Sequence, residues 1–198
     1  RLSEIFRELE AQGAHNINLV TAAHFVPAVL DALALYRPSI PVVYNSSGYE
    51  SVETLRMLDG AVDIYLPDYK YIDPNMAAML SGARDYPDTA HAAIDEMVRQ
   101  RGPYVLDSDG MLVSGVMIRH LILPGHTKNS IAVLDELYET YGKNLTISLM
   151  NQYTPLPQVR DIPDLNRRVT KREYEKVLDH ALDLGAIAGG QLHEAQAA

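Results

Sequence analysis

Ile64-Tyr65-Leu66-Pro67-Asp68-Tyr69-Lys70 is an apolar, strand-like run that breaks into charge at its carboxyl end. Four further runs do the same. Ile17-Asn18-Leu19-Val20 leads into Thr21 and His24, and Val42-Val43-Tyr44 into Asn45, Ser46 and Ser47. Val116-Met117-Ile118 leads into Arg119 and His120, and Ile147-Ser148-Leu149-Met150 into Asn151, Gln152 and Tyr153. Amphipathic helical segments separate the runs. A parallel strand between helices is buried on both faces, so its middle is expected to be apolar. Chemistry is then expected where the strands run out. Strictly alternating strands and helices imply parallel pairing with right-handed crossovers. The pattern predicts an α/β fold, a barrel or sheet with one composite pocket at one rim.

Outward from these runs, the helices announce themselves by spacing and punctuation. Residues 3–12 read as a helix closed by Gly13. Val26, Val29, Leu30 and Leu33 fall on one helical face, opened by Pro27 and ended by Pro38. Ser51 suits an N-cap, and Asp73-Pro74 starts a short helical piece, with 75–85 read as a separate turn or lid. A longer helix is expected over roughly 87–100, then a hairpin from Tyr104 to Val113 through Asp107-Ser108-Asp109-Gly110. The strand from Val116 is read as following that hairpin. Ile131, Leu134, Tyr138 and Tyr141 make the next stripe, and Thr170 with Glu173 a capping box for a final helix. One domain is expected over 1–184, followed by a poorly ordered tail over 185–198.

Composition narrows the function classes. A net charge of −9 in 198 residues argues against a nucleic-acid or membrane-surface binder, which would present a basic face. No apolar run approaches the ~20 residues of a membrane span, and no signal peptide is visible, so the reading is a cytoplasmic protein. The chain has no cysteine, which removes disulfides, thiol catalysis and cysteine-held zinc or iron–sulfur centres from these residues. The start at Arg1, inside a helix, reads as a fragment of a longer protein.

Several side chains suit a binding site, each with a plainer alternative. Asp68 and Lys70, two apart at strand period, point to one side; they hold a ligand or form a local ion pair. Arg119 interrupts an apolar run and must meet an anion, face a wet pocket, or make a structural salt bridge. His120 points to the other face and reads as structural. His24 is a ligand or proton handler, or structural. The turn Asn45-Ser46-Ser47-Gly48 offers amides to an anion or caps a helix. Tyr153 stacks on a nucleobase or covers the end of the fold. No His or Asp spacing defines a metal site.

Five strings together resemble one family: Gly13-Ala14-His15-Asn16-Ile17-Asn18-Leu19-Val20-Thr21, Val43-Tyr44-Asn45-Ser46-Ser47-Gly48-Tyr49, Val62-Asp63-Ile64-Tyr65-Leu66-Pro67-Asp68-Tyr69-Lys70-Tyr71, Ile118-Arg119-His120-Leu121-Ile122-Leu123-Pro124-Gly125 and Leu149-Met150-Asn151-Gln152-Tyr153. In order, and over nearly the whole chain, they resemble the radical SAM proteins related to pyruvate formate-lyase activating enzyme, in particular a bacterial branch. The resemblance implies an incomplete parallel (βα)6 TIM-like barrel that here lacks its first strand. It implies S-adenosylmethionine (SAM) and a [4Fe-4S] cluster, the latter held by a Cys-x-x-x-Cys-x-x-Cys loop expected upstream, in the full-length protein only. It implies reductive cleavage of SAM to a 5′-deoxyadenosyl radical, a glycyl-radical enzyme as partner, and an electron donor such as flavodoxin or ferredoxin. Without the cysteine loop, the segment by itself is expected to be inactive.

Carried over residue by residue, the resemblance puts the family's Gly-Gly-Glu segment near Thr21-Ala22-Ala23-His24, where the motif is not kept. Its Asp-Thr-Asn-Gly turn matches Asn45-Ser46-Ser47-Gly48 loosely. Its Asp-x-Lys strand end is kept as Asp68 and Lys70. Its arginine toward the SAM carboxylate matches Arg119, and its histidine near the adenine falls at Tyr153. Thr21, His24, Asn45, Ser46, Asp68, Lys70, Arg119 and Tyr153 are therefore the expected cofactor-binding set. A barrel lyase or hydrolase acting on phosphorylated small molecules and a non-catalytic binding module are the alternatives. The open sheet edge left by a missing strand is expected to promote association or strand exchange.

Overall fold

The computed structural model describes residues 1–185; the expected tail, apart from Gly185, lies outside the described residues. The chain runs α1 (Leu2–Ala11), β1 (Ile17–Val20), α2 (Val26–Leu35), β2 (Val42–Ser46), α3 (Val52–Met57), β3 (Ile64–Pro67), α4 (Pro74–Ser81) and α5 (Tyr86–Arg101). It continues through β4 (Val105–Leu106), β5 (Leu112–Leu121), α6 (Thr127–Tyr141), β6 (Thr146–Met150) and α7 (Lys171–Leu184). Helix starts follow the sequence signals: Ser51 Oγ accepts from the Thr54 N–H, Asp73 accepts from the Asn75 N–H, and Thr170 and Glu173 close a reciprocal capping box.

Five strands run parallel in the order β1-β2-β3-β5-β6, and β4 pairs antiparallel with the start of β5. The α/β class and the parallel sheet agree with the sequence. The described strands form an open path, with β1 and β6 each bonded to one neighbour. No helix among the described residues is long and apolar enough to cross a membrane.

Parallel register sorts the side chains into two faces. Ile17 sits beside Val42, Leu19 beside Tyr44, Tyr44 beside Tyr65, Tyr65 beside Val116, and Ile118 beside Ile147. All of these lie in one core with Phe6, Val29, Leu55, Ile94, Leu134 and Val177 of the helices. The opposite face differs from the expected two-sided burial. It has buried Val43 and Ile64 toward the strand starts, but carries Asn18, Asn45, Asp68, Arg119 and Ser148 and leaves Val20 63% exposed. One face is covered by helices, and the other is a polar, partly open surface.

Two local readings change. Residues 75–85 are no free lid, because α4 buries Met76 and Ala77 in the core. The second hairpin strand and the following core strand are one ten-residue strand, β5. Its partners switch at Gly115, which sits at φ +115°, where a Cβ would lie 2.4 Å from Tyr104 Cα. Only glycine lets the incoming chain cross that closely.

Two carboxylates give the fold an acid limit. The Arg99 guanidinium, with the Gln100 amide and Arg56, holds Glu96 down to about 2. Arg167, with the Gly125 N–H and Thr170, holds Glu173 well below the usual carboxylate range. A folded-state value below the unfolded one stabilises fully above the unfolded value of about 4.3, and that contribution is lost as pH falls through the folded one. Stability should therefore decline on acidification from about pH 4.5 to about 2. Urea midpoints measured across that range should fall less steeply in Glu96→Gln than in the wild type, and coincident profiles would refute the assignment.

Candidate functional site

The polar face concentrates its charge where β2, β3 and β5 end. The β2–β3 ladder finishes with the Asp68 N–H donating to the Ser46 carbonyl at 3.0 Å. Beyond it the chain bridges to β5, Asp68 lying beside Arg119 and the Tyr69 N–H donating to the Arg119 carbonyl at 2.9 Å. Period-two alternation then turns Asp68, Lys70 and Arg119 to the polar face and His120 to the helix side. There His120 is fully buried between the Tyr69 carbonyl, 2.7 Å from Nδ1, and Ser130 Oγ, 2.9 Å from Nε2. Burial lowers its pKa, which suits a neutral structural residue.

Asp68 is held between two cations. Arg119 Nη2 lies 2.7 Å from its Oδ1, and Lys70 Nζ lies 2.8 Å from its Oδ2. Arg119 Nη2 also donates to Asn45 Oδ1 at 2.7 Å, and Lys70 Nζ to the Ser47 carbonyl at 3.2 Å. The Arg119–Asp68 contact is close enough for an ion pair but is not aligned as a hydrogen bond, so among the described residues Asp68 Oδ1 has no hydrogen-bond partner. Arg119 Nε is likewise buried without one. A buried guanidinium N–H left free is costly unless something accepts from it. One carboxylate and two cations leave the cluster one positive charge in excess, so an anionic group is the electrostatically favoured occupant. At 19% exposure for Asp68 and 26% for Arg119, solvent screens the cluster only in part.

The structure thus brings Asn45, Asp68, Lys70 and Arg119 together. Thr21 is exposed at the end of β1 with φ +53° and reaches the cluster through its backbone alone, its N–H donating to the Asn45 carbonyl at 2.9 Å. Three expected residues lie elsewhere. Ser46 is buried on the helix side, its Oγ accepting from the Gly48 N–H at 3.0 Å. His24 is exposed in the short 3-10 turn Ala23–Phe25 and acts electrostatically on Glu50, a carboxyl whose pKa is raised by burial and opposed by Tyr44, Ser46 and His24. Tyr153 spends its hydroxyl on the Leu165 carbonyl at 2.9 Å. The turn amides at Gly48 and Glu50 are bonded within the turn, to Ser46 Oγ and the Gly48 carbonyl. They are committed to local structure.

Sequence reasoning missed Tyr86, whose hydroxyl reaches the backbone of Ser47, Asp68 and Lys70. It stands one residue ahead of the helix expected over roughly 87–100, where no pattern singled it out.

No protein-family model matches the chain. An uncharacterized protein of Methanocaldococcus jannaschii is 31% identical over 157 residues, covering 78% of this chain and 41% of that protein. The chain therefore spans about two fifths of the length of the curated relative it matches. Among solved structures, a domain of pyruvate-formate lyase-activating enzyme from Bacteroides vulgatus superposes with a TM-score of 0.58 at 14% identity, over 88% of this chain and 98% of that domain. At that identity the likeness speaks for the backbone alone: the chain has an α/β fold similar to that activating-enzyme domain.

Proposed function

We propose that this chain is the SAM-cradling part of a radical SAM enzyme resembling pyruvate formate-lyase activating enzyme, its sheet forming the greater part of a (βα)6 barrel. The observation that carries the reading is the cluster of Asn45, Asp68, Lys70 and Arg119 at one strand-end rim, with the Arg119 Nε free to donate. That free N–H and the excess positive charge fit the carboxylate of SAM. Asp68, with one oxygen not hydrogen-bonded, fits its amine.

The [4Fe-4S] cluster does not fit these residues. The sequence has no cysteine, and among the described residues no group of three His, Cys, Asp or Glu side chains could hold a metal ion. We assign that cluster to cysteines elsewhere in a longer parent protein, with a glycyl-radical enzyme as the partner acted on and flavodoxin or ferredoxin as electron donor. In such a parent, SAM and the cluster would together supply one-electron reductive cleavage of the sulfonium, the electron coming from that donor. The residues here bind and orient: Arg119 anchors the carboxylate, Asn45 and Asp68 hold the guanidinium in place, and Lys70 fixes Asp68 by an ion pair at 2.8 Å. A helix-backed wall limits water on one side of that anchor.

Calorimetric titration of the chain with SAM tests the reading. The expected result is one-site binding that Arg119→Met weakens with the folded spectrum retained. Binding of a phosphorylated sugar in preference to SAM would overturn it in favour of lyase or hydrolase chemistry, and binding of neither ligand would also overturn it.

A further inference from the structure

We infer that Tyr86 is a positioning residue of this site, its hydroxyl replacing the missing rung of the β2–β3 ladder and so aiming Asp68 and Lys70. The inference rests on the reading of that cluster as the binding site. The regular continuation of the ladder beyond the Asp68 N–H to Ser46 carbonyl bond would be a bond from the Lys70 N–H to the Gly48 carbonyl. It is not made. The Gly48 carbonyl accepts from Glu50 at 3.1 Å, and the Lys70 N–H donates to Tyr86 Oη at 3.1 Å. The same oxygen lies 2.9 Å from the Ser47 carbonyl and 2.9 Å from the Asp68 carbonyl.

A phenol has one proton, so it donates to one of those carbonyls at a time while accepting from Lys70. Three backbone groups from two strand-end loops are tied to a single atom. That atom is itself fixed. Tyr86 is 3% exposed and is the first residue of α5, whose Ala90, Ile94 and Met97 are fully buried. Its ring stacks on Tyr49 at 6.0 Å and meets the edge of Tyr71 at 5.5 Å. Lys70 Nζ stands 5.8 Å from the ring centroid, within reach of its electron-rich face. Burial also pushes the phenol pKa up, so the hydroxyl stays protonated and able to donate. A helix on the far side of the sheet thereby sets the backbone on which both charged side chains stand.

The test uses the full chain as Tyr86→Phe, which removes the hydroxyl and keeps the ring. The control is Tyr65→Phe, whose hydroxyl serves Gln100 on the helix side. Amide exchange by NMR should show the Lys70 N–H losing protection about five- to tenfold in Tyr86→Phe and unchanged in Tyr65→Phe. SAM affinity should fall about fivefold in the first and not in the second. Wild-type Lys70 protection in Tyr86→Phe, or equal losses in both variants, overturns the inference. If the wild type binds no SAM, the functional reading falls, and the Lys70 exchange still decides whether Tyr86 positions this backbone.

Discussion

Gly48→Ala is expected to destabilise the protein by about 2–5 kcal/mol, against about 1–2 kcal/mol for Gly60→Ala. The two glycines share φ +81°. The left-handed backbone penalty for a Cβ is therefore common to both. They differ in what the Cβ would meet. At Gly60 nothing lies within 4 Å. At Gly48 the added carbon would lie 2.1 Å from the Asp68 carbonyl oxygen and 3.2 Å from the Tyr86 hydroxyl. The first neighbour is backbone, held at the junction of β3 and β5, so it cannot rotate away. Relief requires moving Asp68 itself, which adds about 1–3 kcal/mol of overpacking. Against a total stability of about 5–15 kcal/mol, that is a large fraction. Urea denaturation at constant m-value measures it, and a Gly48→Ala midpoint matching that of Gly60→Ala would remove the close approach from the account. Because the strained oxygen belongs to Asp68, the variant should also bind SAM poorly where it still folds, whereas Gly60→Ala should bind normally.

That coupling between a turn and a charged cluster was half visible in the sequence. Local periodicity fixes which way a side chain points, so the pairing of Asp68 with Lys70 and the opposition of Arg119 to His120 could be read directly. The same alternation separates Asn45 from Ser46 and would have sent Ser46 to the helix side, where it lies. Reading the turn as one polar unit hid this. Periodicity does not say which strands are neighbours. The contact between Asp68 and Arg119 depends on β3 lying beside β5, with α4, α5 and β4 between them in the chain. Parallel winding brings the strand ends to one rim, but it does not set a 2.7 Å distance. Tyr86 left no signal because its role depends on one hydroxyl meeting three backbone groups from two other elements. The destination of the Tyr153 hydroxyl, a carbonyl twelve residues on, was hidden for the same reason.

Arg119→Met should have the largest effect on ligand binding, lowering SAM affinity by about 30- to 100-fold, the equivalent of about 2–2.8 kcal/mol for a charge-assisted pair. Two losses combine. The cluster's charge falls from one positive in excess to neutral, since Asp68 and Lys70 remain. The donor at Nε, which no other group among the described residues uses, disappears. Arg119→Lys separates the two: it keeps the charge but loses the planar guanidinium, whose Nη2 meets both Asn45 and Asp68 while Nε is left to donate. It should recover only part of the affinity, still about tenfold below the wild type. Stability should respond less than binding, because Lys70 still neutralises Asp68 at 2.8 Å. A double-mutant cycle with Asp68→Asn should return a coupling of about 0.5–1.5 kcal/mol, below that of a fully buried pair because both side chains are partly solvated. Wild-type SAM affinity in Arg119→Met would mean that the guanidinium braces the strand ends and leaves the cofactor to other residues, and a coupling of zero in the cycle would take the Asp68 pair out of the account. Retained affinity in Arg119→Lys would narrow the requirement to charge alone and take the free Nε out of the mechanism.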